Sequence, residues 1–189
     1  MKFLHPRHQH PRSLLTTPGR RGVVTLEFIL CLPILLILIF AMFEFGILLL
    51  VNQNVATAAI EGSRHAAEFG AEPDDAISVA EAVEEFLAVH QIVLDTSGAG
   101  SGLGEAYLLV QYGDITIPDR VDVSNLSFEY GDTDLAVNPP LPGTNQVRVT
   151  VRTPVTDLAG VRPVPDWLVM FGFSINGAIF DLRSTCLLE

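Results

Sequence analysis

Cysteine is nearly absent from this chain of 189 residues, which has only Cys31 and Cys186. Cys31 sits in a long apolar run and Cys186 far from it, so the two cannot readily pair and a fold stapled by internal disulfides is excluded. Cys186 is expected to be free or used between chains. A lipoprotein site at Cys31 is excluded because bulky Leu30 precedes it where a small residue is needed. Basic residues are as thin past residue 22, where six of the 11 Lys and Arg face all 22 acids. Direct nucleic-acid binding needs a basic footprint, and this balance is the reverse. Histidine in the same region is limited to His65 and His90, and no serine elbow or distinctive paired-carboxylate motif is present. An enzyme is therefore not expected, nor a cofactor, a metal or a small-molecule substrate. His5, His8 and His10 crowd the start with prolines and read as a dispensable tail rather than a metal tract.

What the chain has in abundance is a greasy stretch from Val23 to Val51. Roughly twenty Leu, Ile, Val and Phe residues there contribute about 0.3 to 0.6 kcal/mol each to insertion, against about 2.5 to 3.5 for an acid at a helix centre. Insertion wins despite Glu27 and Glu44, each expected near one membrane boundary, where Glu44 is expected to be hydrated. A helix of about 24 residues reaches roughly 36 Å, more than the hydrocarbon core of about 30 Å. Pro33 removes one backbone donor, and a mild kink is expected there. A secretory signal peptide would have about 7 to 15 apolar residues and a small-residue site. The run here is much longer, and Ala56-Thr57-Ala58, which could pass for such a site, falls inside a helical pattern.

Lys2, Arg7, Arg12, Arg20 and Arg21 stand before Gly22 without one acid. The positive-inside rule keeps residues 1–22 cytoplasmic and sends residues 52–189 across the membrane.

The placement of Glu27 is costly for a plain anchor. Gly22 is followed by Val23, with Glu27 fifth and aromatic Phe28 sixth after the glycine, and this resembles the processing and assembly signature of type IV prepilins, particularly the Flp and pseudopilin group. Thr25 to Leu30, Leu32-Pro33, Glu44-Phe45-Gly46, Gln53 and the run Ala58 to Arg64 together resemble the TadE-like family of tight-adherence pilus assembly proteins. The match covers Arg20 to about Ala67, with a weaker echo in residues 147–151 and 182–185. Phe28 departs from the Tyr often found at that place. The resemblance implies cleavage between Gly22 and Val23 by a prepilin peptidase, with other pilins or pseudopilins, the assembly platform and a bacterial inner membrane as surroundings. It also implies a partner for Glu27. The freed Val23 amine, with a pKa near 8, lies one helical turn away, and in low dielectric such a pair attracts while either charge alone is costly. The pairing can run between neighbouring subunits, setting axial register, or within one chain.

Past the membrane the helix is expected to continue to Phe69, near Gly70, with Pro73 barring further extension. Val55, Ala59, Gly62 and Ala66 form a stripe at three-and-four spacing, small enough for close approach to a helix or a sheet. A second amphipathic helix follows, with Ala76, Val79, Ala80, Val83, Leu87 and His90 on one face and Pro73-Asp74-Asp75 as its acidic start. His90 is expected to cap or pack. The glycines of residues 98–104 fail the dinucleotide fingerprint at its third glycine and lack the phosphate-loop lysine, so a flexible connection is expected.

Strands are expected over residues 106–112, 114–118, 121–130 and 146–153, where Val147, Val149 and Val151 alternate with Arg148, Thr150 and Arg152, giving one buried face. Residues 131–134 and 138–143 read as turns; the former lacks the remaining ligands of a Ca²⁺ loop. A short helix over 166–170 and a final strand over 173–185 complete the pattern. The expected fold is α+β: a long amino-terminal transmembrane helix continuing into a small pilin-like domain with an antiparallel sheet. Its divisions are 1–22 (a cleaved leader), 23–51 (the span), 52–72 (the helix extension) and 73–189 (the extracytoplasmic domain). The expected function is that of a minor pilin or pseudopilin. The alternatives are a single-pass anchored binding domain without a pilus role and, behind it, an anchored enzyme.

Overall fold

The computed structural model describes residues 20–69, 73–96, 106–116, 125–156 and 163–188. The expected leader before Arg20, the Gly70 stop and the glycine-rich connection lie outside the described residues. The chain divides into two compact units, residues 1–38 and 39–189.

Helix α1 (Arg20–Phe69) contains Pro33 and is long and apolar enough to cross a membrane. In the first unit its apolar side chains from Val24 onward are mostly exposed, as suits a helix whose surroundings are hydrocarbon. Its later part belongs to the second unit and has a different surface. There Val51, Val55, Ala58, Ala59 and Ala66 are buried. Helix α2 (Pro73–Ala88) begins on the proline itself, which tolerates the first helical position because that N–H needs no partner within the helix. Asp74 and Asp75 in its first turn favour the helix dipole. Ala76, Val79, Ala80, Val83 and Leu87 form its buried face, as their spacing predicts.

Strands β1 (Tyr107–Tyr112), β2 (Ser127–Gly131), β3 (Gln146–Pro154) and β4 (Ile179–Leu187) form one antiparallel sheet in the order β2-β1-β3-β4. Val147, Val149 and Val151 of β3 and Leu108, Val110 and Tyr112 of β1 join α1 and α2 in one core. Two polar contacts fix α1 on the sheet: Ser63 Oγ lies 2.9 Å from Ser184 Oγ, and the Tyr112 hydroxyl donates to the Ala66 carbonyl at 3.4 Å.

The sheet's second face is covered over β1 and the centre of β3, whereas the β4 residues on it, Asp181, Arg183, Thr185 and Leu187, are exposed. Tyr107, Leu109 and Gln111 of β1 and Thr150 of β3 are buried on that face. Arg148 and Arg152 donate through Nη1 to the carbonyls of Pro140 and Leu135, holding the segment between β2 and β3 across that face. The expectation of a single buried face is corrected over that part of the sheet, where Arg148 and Arg152 are the fastenings of a covering strap.

Two expected strands also change. Residues 114–116 are not a strand, because the Asp114 carbonyl accepts the Asn145 N–H at 2.8 Å and the Thr116 N–H donates to Asn145 Oδ1 at 2.8 Å. The final strand starts at Ile179 rather than residue 173. Before it, the Ala178 N–H donates to the Ile175 carbonyl and Gly177 has φ 82°, so the chain turns instead of extending. The short helix expected at 166–170 is a 3₁₀ helix, η2, over Trp167–Phe171, and another, η1, covers Thr133–Leu135.

Candidate functional site

Gly22, Val23, Glu27 and Phe28 all fall within α1 in the first unit. Glu27 and Phe28 are exposed, Phe28 at 64 %. An exposed carboxylate on an apolar membrane-length helix has no hydrocarbon partner of its own, and the nearest chemistry that lowers its cost is a cation or a hydrogen-bond donor brought by another group.

The stripe of Val55, Ala59, Gly62 and Ala66 lies in the second unit and is buried against the same chain. Gly62 shows why small residues stand there. A Cβ at this position would lie 2.6 Å from Val83 Cγ2 on α2 and 3.3 Å from Val149 Cγ1 on β3. The close approach the spacing implies is thus to α2 and the sheet together. Nearby, Asn54 Nδ2 and His90 Nε2 meet at 2.6 Å, joining α1 to the turn that ends α2.

Glu44 is the residue whose environment sequence reasoning missed. It was expected to be hydrated, but only 3 % of its surface is exposed. Its Oε2 accepts the Leu168 backbone N–H at 3.0 Å. Leu168 is the second residue of η2, where an N–H has no partner inside the helix, so Glu44 supplies the cap from another element. Asp166, the residue at the usual cap position, makes no such bond to η2. Its Oδ2 instead accepts the Ser174 hydroxyl at 2.6 Å, and Ser174 Oγ accepts the Asn176 N–H at 3.1 Å, closing the loop that contains η2. The Phe40 ring packs at a tilt against both Trp167 and Phe171, with centroids 6.3 Å apart in each pair. The signal in the sequence was the carboxylate itself: an acid inside an apolar run has to find donors. Which donor could not be read, because 124 residues separate the pair.

Beside this contact is an open, almost wholly apolar crevice of about 220 Å³, lined by Glu44, Phe45, Leu48, Leu168, Phe173, Ser174 and Ile175. Among the described residues no group of three or more His, Cys, Asp or Glu is placed to hold a metal ion. Asp132 and Asp134, in the turn weighed for Ca²⁺, are engaged locally, with Asp132 Oδ1 accepting the Asp134 N–H at 2.9 Å as the cap of η1. Cys31 and Cys186 are both free thiols. On the far face of the sheet, burial pushes the Tyr107 hydroxyl up to about 12, and the nearby Glu129 carboxylate adds to the shift.

Residues 22–64 match the model of one protein family, described as TadE-like protein, and across that stretch the chain is similar to that family. The matched segment runs from Gly22 to Arg64 and takes in Glu27, Glu44 and the buried stripe as far as Gly62. No curated protein and no solved structure matches the chain.

Proposed function

We propose that this protein is a minor pilin or pseudopilin in the assembly of a tight-adherence pilus or a related secretion machine. Three features support the reading: the TadE-like match over residues 22–64, the membrane-length helix it covers, and the α+β domain that follows. The family match is its main support, because the matched stretch includes Gly22, Glu27 and Phe28.

In this reading a prepilin peptidase cuts between Gly22 and Val23, and α1 holds the protein in the inner membrane with its domain outside the cytoplasm. Glu27, four residues along, then faces a cationic terminus at about one turn's distance. A carboxylate and an ammonium that are each costly in hydrocarbon become tolerable together, and pairing between neighbouring copies or other pilins would set their axial register. The protein's role is structural: it performs no reaction and is itself the peptidase's substrate.

Amino-terminal sequencing of the protein purified from membranes of peptidase-containing cells tests this directly. A mature chain starting at Val23 is expected, with the full-length chain accumulating when the peptidase is deleted. An intact start in the working protein, or a start at Ala59 from signal-peptide removal, would overturn the pilin reading in favour of an ordinary anchored or exported domain.

A further inference from the structure

We propose that the loop containing Trp167–Phe171 and Phe173 is a second membrane-contact element, seated in the interfacial zone of the bilayer on the domain side, with lipid acyl chains as its occupant. The proposal rests on α1 being a membrane span, part of the functional reading above, and adds a contact that the span alone does not require.

The first observation is the loop's composition and exposure. From Trp167 to Phe180 there is no charged residue. Met170 is 81 % exposed, and Val169 and Phe173 are more than half exposed. Scattered apolar residues on a surface are ordinary, but a contiguous uncharged loop that presents Trp, Val, Met and Phe outward is a docking surface.

The second observation is where the loop is held. Glu44 accepts the Leu168 N–H, and Phe40 contacts the rings of Trp167 and Phe171, so the loop is fixed beside residues 40–44 of α1. The twenty residues from Val24 to Phe43 are the number a helix needs to cross the hydrocarbon, which puts residues 40–44 where α1 leaves it. At that level the helix exposes Met42, Phe43, Phe45 and Leu49. The loop's apolar surface is therefore continuous with that of a helix already committed to lipid. A loop headed by Trp and rich in Phe at the hydrocarbon boundary matches the aromatic belt of membrane proteins.

The third observation is the crevice between the loop and α1, formed by Phe45, Leu48, Leu168 and Phe173 with almost no polar lining. An acyl chain meets apolar walls there without stranding a polar group, since the carboxylate of Glu44 is already engaged.

Trp167 is the only tryptophan in the chain, so the native protein carries its own probe. The full-length protein would be placed in phosphatidylcholine nanodiscs, one copy per disc, with bromines at shallow or deep positions on the acyl chains. Expected are quenching of Trp167 emission by brominated lipid, strongest for the shallow bromines, and resistance to iodide in the aqueous phase. Unchanged emission with brominated lipid together with quenching by iodide would overturn the proposal. So would protection from iodide that appears only with two copies per disc and without any bromine effect, which would assign the loop to a protein partner. A Leu35→Trp, Trp167→Phe variant reports the span separately. If this probe is quenched by deep bromines while native Trp167 is not, the loop proposal fails and the span stands; if neither is quenched, both fail.

Discussion

Glu44 and Leu168 are joined by one hydrogen bond, carboxylate to backbone N–H at 3.0 Å, that ties the membrane-length helix to a loop near the other end of the chain. Neither partner has a local substitute. The N–H belongs to a helix start whose own cap residue faces Ser174, and the carboxylate is closed off from solvent.

Replacing Glu44 by leucine is expected to leave the Leu168 N–H unsatisfied, at a cost of about 1 to 3 kcal/mol. Glu44→Gln keeps a carbonyl acceptor and is expected to lose less. Hydrogen exchange of the Leu168 amide in the full-length protein should rise in the order wild type, Glu44→Gln, Glu44→Leu. Equal protection in all three would show that the contact does not hold the loop.

At Gly62 two effects oppose. Gly62→Ala gains roughly 0.8 to 1 kcal/mol of helix propensity. The new methyl would sit 2.6 Å from Val83 Cγ2, however, and a β-branched side chain in a helix has little freedom to turn away. Overpacking of this kind costs about 1 to 3 kcal/mol, so a net destabilisation is expected by denaturant unfolding. Combining it with Val83→Ala should recover part of that loss relative to the sum of the single changes, giving a favourable coupling energy in the double-mutant cycle.

Tyr107 sets an alkaline limit. Its folded-state value near 12 lies above the usual 10.0, so the neutral phenol contributes stability that is complete below pH 10 and lost as pH rises through about 12. Burial also raises Tyr130, in the same direction. Unfolding followed between pH 9 and 12 should show stability falling across that window, and Tyr107→Phe should make the fall shallower without abolishing it.

Glu27→Ala tests the assembly role apart from the fold. The protein is expected to be inserted, folded and trimmed at Gly22, but to fail to co-purify with pilus components. Normal co-assembly of the trimmed variant would remove Glu27 from the assembly mechanism.

The α+β arrangement was legible because it rests on repeating patterns: the unbroken apolar run of α1, the three-and-four spacing of α2 and the strict alternation in β3. Their buried faces follow the periods read from residues 76–87 and 147–151. What was not legible depends on single contacts with no period. Asn145 takes up the backbone of residues 114–116 that otherwise resembles a strand. Gly177 and the Asp166–Ser174 bond turn residues 173–178 before β4 can start. Arg148 and Arg152 look like the wet side of a strand until the strap they fasten is placed. The same holds at the candidate site, where Gly22, Glu27 and Phe28 could be singled out by spacing and resemblance, whereas the partner of Glu44 is defined only by the folded chain.

The strap across the far side of the sheet also limits how copies of this protein can meet. With Tyr107, Leu109 and Thr150 already covered, sheets from two molecules cannot meet over β1 as the layers of a sandwich do. Contacts between copies are left to the long helix, the rims of the sheet and the exposed residues of β4. On the β4 rim, Asp181 and Arg183 pair at 2.9 Å and mark the border strand with charge, a device that discourages indiscriminate strand-to-strand zippering.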